Sequence, residues 1–249
     1  MNKLIKTFSK CLLLVFALLL VYRLYYSYIG AAFIGEQLDV KQMLMNSRIV
    51  PNAVMLIAIA VWMHMKKVSL HELGFAKMHK EGFAGCFYFL PLVVLLLVVV
   101  ITMNPYVPMD ATMWAVAIME LLLVAIFEEV LFRGIFFRAL LPYRNLSALF
   151  GTAILFTIGH MGNWSEFASN NTELFLYAVS SLLFYLPISL MFSYLRFNAK
   201  SIIPCIIYHA LHNLVIANVS FDILYLSAFF AAYAYAMHLY NKRKEERIV

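Results

Sequence analysis

The 249-residue chain is 64% hydrophobic and 13% charged, with a mean hydropathy of +0.85. A soluble globular domain is nearer half apolar and a quarter charged. The composition therefore excludes one and points to a helical bundle in lipid, where helices satisfy their own backbone groups.

Eight apolar runs long enough to cross a bilayer are predicted at about 11–35, 50–65, 83–102, 112–140, 146–163, 173–197, 201–218 and 221–240. They make an all-α polytopic bundle, a single integral membrane domain over 1–249 with its candidate functional core at about 112–218. The first run follows Lys3, Lys6 and Lys10, as a signal peptide would. It continues through Tyr25, Tyr26 and Tyr28 without a small-x-small cleavage site, and Cys11 lacks the small apolar residues that precede a lipidated cysteine. It reads as an uncleaved first span. The connector KKVSLHELGFAKMHKEG (66–82) is expected to form a short interfacial helix. NWSEFASNNT (163–172) reads as a polar outer loop and NKRKEERIV (241–249) as a solvated charge run. Cys11, Cys86 and Cys205 lie in or beside spans with no CxxC pair, so neither a disulfide framework nor a zinc finger is indicated.

Orientation follows from Lys and Arg placement. With the N-terminus in the cytoplasm, the inner segments hold Lys3, Lys6, Lys10, Lys66, Lys67, Lys77, Lys80, Arg138, Arg144, Arg196, Lys200, Lys242, Arg243, Lys244 and Arg247. The outer loops hold only Lys41 and Arg48, while Arg23 and Arg133 fall inside spans. Both termini are then cytoplasmic. The net charge of +6 reads as inner-leaflet anchoring among membrane lipids, and no basic patch suggests nucleic acid.

The fourth run contains IFEEVLFRGIFFRALL (126–141), with Glu128 and Glu129 in apolar surroundings. A charge at bilayer depth costs at least a few kcal/mol, so it needs a partner or a task. Glu129 and Arg133 are i,i+4 with the acid first, the favourable order for an ion pair. Glu128 is turned about 100° away on the helix and cannot share that pairing as easily. The bland reading is a pair of structural ion pairs. Two later runs weigh against it. FTIGH sets Phe156 and His160 at i,i+4, and YHALHN sets His209 and Asn213 at i,i+4 with His212 slightly off that face. At about 1.5 Å per residue, Glu128, His160 and His209 all lie roughly 12–21 Å from the inner boundary, so they can meet in one plane.

A carboxylate and an imidazole can together deprotonate a water and later protonate a leaving amine. A second imidazole and a carboxamide can donate to a developing oxyanion. Alternatively, Glu128, His160 and His209 can hold a divalent metal such as zinc. Either suits peptide-bond hydrolysis. HExxH is absent, as are a rhomboid-like GxS context and a GxGD aspartate.

EEVLFR (128–133), FTIGH (156–160) and HALHN (209–213) resemble the EExxxR, FxxxH and HxxxN signatures of the CAAX protease and bacteriocin-processing family of intramembrane endopeptidases. All three occur in the family's order, each on its own predicted span. LHELGF (70–75) resembles a loosely kept connector of the family. The resemblance implies that Glu128 activates water with His160, that His209 and Asn213 line the oxyanion site, and that Glu129 and Arg133 orient Glu128. Glu120 and His212 match no signature position. Glu120 reads as a helix partner, and His212 as core packing ahead of a spare ligand. Family members have been described both as metalloproteases and as metal-independent glutamate proteases, so the metal stays open. We expect none: Asn213 beside His209 makes an oxyanion site without an ion, and few groups besides Glu120 and Glu129 are available to orient ligating imidazoles. Glu129 reads as taken by Arg133.

The expected activity is cleavage of a hydrophobic peptide or membrane-anchored protein in a bacterial plasma membrane. The alternative is a non-catalytic membrane binding or bacteriocin-immunity protein. A proton-relaying transporter using Glu128 and His160 is a third reading, but no inverted repeat supports it.

Overall fold

The computed structural model describes residues 2–30, 44, 47–77, 94, 98, 111–161, 170–218 and 223–246. All regular structure among them is helical. Helix α1 (Lys3–Leu24) begins where the Asn2 side chain accepts the Leu4 N–H at 3.1 Å, and it passes into a π-helical stretch, Tyr25–Gly30. Helix α2 (Ile49–Lys66) carries Pro51 in its first turn, where a missing N–H costs nothing. Helix α3 (Ala111–Glu129) runs into a π-helical stretch, Val130–Phe136, and then α4 (Phe137–Leu140). Then come α5 (Asn145–His160), α6 (Asn171–Ala199), α7 (Ile203–Asn218) and α8 (Ile223–Glu246). The Asn170 side chain caps α6 by accepting the Glu173 N–H at 3.0 Å.

These helices fall on seven of the eight expected runs; the run 83–102 lies outside the described residues apart from 94 and 98. The expected count of eight crossings is not confirmed among the described residues. Among the described residues, Lys3–Tyr28, Ile49–Lys66 and Asn171–Ala199 are long and apolar enough to cross a membrane, and α5 is apolar but shorter. The segment 111–140 is broken into α, π and α pieces around its charges rather than forming one regular helix. Helix α8 continues through Glu246 into the expected solvated charge run, where Lys242 and Arg243 are exposed.

The connector departs from expectation as well. Residues 67–74 form turns instead of an interfacial helix. Lys67 ends α2 in the left-handed conformation (φ 53°), and Gly74 takes φ 97°. Between them the Ser69 N–H donates to Glu72 Oε2 at 2.7 Å, while the Glu72 N–H donates back to Ser69 Oγ at 3.2 Å. The Ser69 N–H, aided by its hydroxyl and by Arg138, holds the Glu72 carboxyl below its usual range. Local side-chain bonds of this kind compete with helix formation.

Helix α6 packs against α5 and α8, α3 against α2 and α7, and α1 against α5. The largest buried cluster joins Val15, Phe127, Leu131, Phe132, Phe136, Leu149, Leu155, Phe156 and Tyr194. Leu13, Phe16, Ile57, Val61, Leu183 and Ile207 are exposed, as lipid-facing side chains are. Small residues bring the helices close. Thr152 on α5 and Ser193 on α6 share a buried hydrogen bond of 3.0 Å.

Candidate active site

Glu128 and Glu129 end α3, where the backbone widens into the π-helix that carries Arg133. Such bulges recur at functional sites. Arg133 Nη1 lies 3.0 Å from Glu129 Oε1, and both side chains are fully buried. Its Nη2 donates to the Ser189 carbonyl at 3.0 Å and to Ser189 Oγ at 2.7 Å on α6. The guanidinium also lies 4.7 Å from the Phe156 ring centre and 5.1 Å from that of Phe192. A buried ion pair needs further partners for its remaining polar groups; Ser189 and the two rings supply some of them, while Arg133 Nε and Glu129 Oε2 are buried without a hydrogen-bond partner among the described residues.

Both histidines are fixed through Nδ1. His160 Nδ1 is 2.9 Å from the Phe156 carbonyl. That oxygen only accepts, so Nδ1 donates. The His160 ring lies 4.1 Å from Phe156 and 4.4 Å from Tyr185, centre to centre, and its carbonyl accepts from the Tyr177 hydroxyl at 3.3 Å. His209 Nδ1 is 2.8 Å from Glu129 Oε1, and its ring stacks on Phe192 at 5.1 Å. The free corners of both rings turn to one atom. Glu128 Oε2 is 3.5 Å from His160 Nε2 and 3.7 Å from His209 Nε2. That oxygen is buried and has no hydrogen-bond partner among the described residues.

Thus Glu128, Glu129, Arg133, His160 and His209 come together. Asn213 lies one turn beyond His209 on α7, partly buried, and its side chain makes no hydrogen bond among the described residues. Glu120 stands apart: its Oε1 accepts the Arg48 N–H at 3.1 Å and lies 4.0 Å from Arg48 Nε, joining α3 to the start of α2. His212 is buried, 5.6 Å from the Phe230 ring centre and 6.4 Å from that of Phe184. Sequence reasoning missed Ser189, Tyr177 and Tyr185. A serine spaced i,i+4 from Ser193 in an apolar run was the available signal for Ser189. It also treated Glu129 as taken by Arg133, whereas Glu129 Oε1 serves Arg133 and His209 together.

One carboxylate oxygen and two imidazole nitrogens are donors of the kinds that zinc takes. Among the described residues, however, no group of three or more His, Cys, Asp or Glu is arranged to hold a metal ion. What the arrangement offers directly is a carboxylate facing two oriented imidazoles beside an immobilised ion pair. Residues 110–215, a little under half of the chain, match the family model described as Type II CAAX prenyl endopeptidase Rce1-like. No curated protein and no solved structure matches the chain. The matched stretch contains EEVLFR, FTIGH and HALHN, and the match supports the resemblance of these signatures to the CAAX protease and bacteriocin-processing family of intramembrane endopeptidases.

Proposed function

We propose that the protein hydrolyses a peptide bond in a hydrophobic or membrane-anchored substrate, with water activated by Glu128 and His160. The observation that carries this reading is the unpartnered, buried Glu128 Oε2 facing His160 Nε2 at 3.5 Å. A buried polar atom left without a partner calls for an explanation, and a water held between these two acceptors supplies one.

In this scheme Glu128 takes a proton from the water as its oxygen bonds to the scissile carbonyl carbon, and the carbonyl electrons move onto oxygen. The tetrahedral intermediate then collapses. The C–N bond breaks and the amine leaves with the proton relayed by Glu128 and His160. His209 and Asn213 donate to the oxyanion. With Nδ1–H given to Glu129, His209 can donate from Nε2 only as an imidazolium. Glu129 and Arg133 act by position: they hold the end of α3 and orient His209.

The steps use side chains alone, and we retain the expectation of a metal-independent reaction. Glu128, His160 and His209 are the residues that would hold zinc if one were required, and a bound ion would polarise the attacking water. The test uses purified protein and an internally quenched peptide with a prenylated C-terminal CAAX sequence, its products identified by mass. Treatment with a strong chelator should leave the rate unchanged, and elemental analysis should find well under one equivalent of zinc. Activity lost on chelation and restored by zinc would contradict the metal-free scheme; no cleavage of this or of unprenylated hydrophobic peptides would contradict the protease reading.

A further inference from the structure

The matched family segment begins at residue 110, yet the connector far upstream of it touches three of the elements that build the site. Leu73 is fully buried and clusters with Val130 of the π-helix and with Ile202. Its carbonyl oxygen would stand 3.2 Å from a Cβ added to Gly134, so the two backbones are in contact there. The Gly74 carbonyl accepts the Ile202 N–H at 2.9 Å, and the Ile202 carbonyl accepts the Ile206 N–H at 3.0 Å. That bond lies in the opening turn of α7, two turns before His209.

The third contact is with α6. A Cβ on Gly74 would lie 2.7 Å from Arg196 Nη2 and 2.8 Å from its Nε, so the guanidinium rests against the glycine. Gly74 also has φ 97°, where L side chains are strained. Arg196 Nε donates to the Arg133 carbonyl at 3.3 Å, and its guanidinium lies 5.6 Å from the Phe137 ring centre. Ser189 and Arg196 are seven residues apart, two helical turns. One face of α6 therefore holds the Arg133 side chain through Ser189 and the Arg133 backbone through Arg196.

We infer that Leu73 and Gly74 form a three-way joint that sets the Glu128–Glu129 segment in register with His209, and that Arg196 is a positioning residue of the site. The π-helix, α6 and the start of α7 meet at the joint. A change at Gly74 shifts Arg196, Arg196 shifts the Arg133 carbonyl, and the shift reaches Glu128 through the π-helix. The inference rests on the protease reading for its catalytic consequence, but not for its geometry.

The test compares wild type with Gly74→Ala, Arg196→Met, Arg196→Lys and the double variant Gly74→Ala/Arg196→Met. The probe is the quenched prenylated CAAX peptide, and backbone hydrogen exchange is measured in the same detergent. A misplacement of about 1 Å costs on the order of a hundredfold. Gly74→Ala and Arg196→Met should therefore lower kcat by about tenfold to a hundredfold with KM little changed. Arg196→Lys should recover part of the loss, and the double variant should be no worse than the worse single one. Exchange should rise in 130–136 and 202–206 and stay at wild-type levels in α8. Unchanged kcat, a loss confined to KM, or exchange raised equally in α8 would overturn the joint. If Gly74→Ala does not fold, Arg196→Met and Arg196→Lys carry the same comparison. If wild type leaves both this probe and unprenylated hydrophobic peptides uncut, the protease reading falls and the exchange pattern alone decides the joint.

Discussion

Glu128 and Glu129 are neighbours in sequence with opposite surroundings. Glu129 is fully buried and shares one oxygen between Arg133 and His209, whereas Glu128 retains 14% side-chain exposure and faces two imidazole nitrogens beyond hydrogen-bond distance. Glu129→Gln strands a buried guanidinium, and breaking a buried pair costs about 3–5 kcal/mol. Its thermal midpoint should fall clearly together with its activity. Glu128→Gln removes no ion pair with arginine or lysine, so its midpoint should stay close to that of wild type. Equal loss of stability in both variants would remove the distinction between a working and a supporting carboxylate. Ser189→Ala deletes the 2.7 Å bond to Arg133. A hydrogen bond to a charged group contributes about 1.5–3 kcal/mol, and denaturation in detergent should read a loss of that size. No measurable loss would show that the Ser189 carbonyl alone satisfies Nη2.

At the scale of elements, periodicity placed the helices because apolar runs leave few alternatives in lipid. The Glu129–Arg133 spacing was readable as well, since i,i+4 neighbours meet whichever residues surround them. The π-helix at Val130–Phe136 was not readable. Gly134 lowers the helix propensity of VLFRGIF, but one glycine does not specify a π-helix; the stretch also meets Leu73, Ser189 and Arg196, all remote in sequence. Ser189 was hidden for the same reason: a serine in an apolar run becomes a guanidinium acceptor only once α6 lies against Arg133. The interfacial helix expected within 66–82 is replaced by turns at 67–74. The Ser69–Glu72 exchange and the positive φ of Gly74 favour the turns.

For the whole molecule, the three described spans and the charge asymmetry make a membrane protein, and we retain eight crossings with both termini cytoplasmic as the proposed topology. Reporter fusions after Asn2 and after Val249 should report the same, inner side. Opposite sides would require an odd number of crossings and would undo the shared depth from which Glu128, His160 and His209 were first associated. That association reached the fold through four helices: α3, α5, α6 and α7 each contribute a residue within contact of the cluster. The central claim is that Glu128 is the group that activates water. The most direct measurement is the rate at which purified wild type and Glu128→Gln cleave the quenched prenylated CAAX peptide, both first matched for thermal midpoint. The account predicts steady product formation by wild type and none above background for the folded variant. Cleavage by Glu128→Gln at the wild-type rate would contradict it.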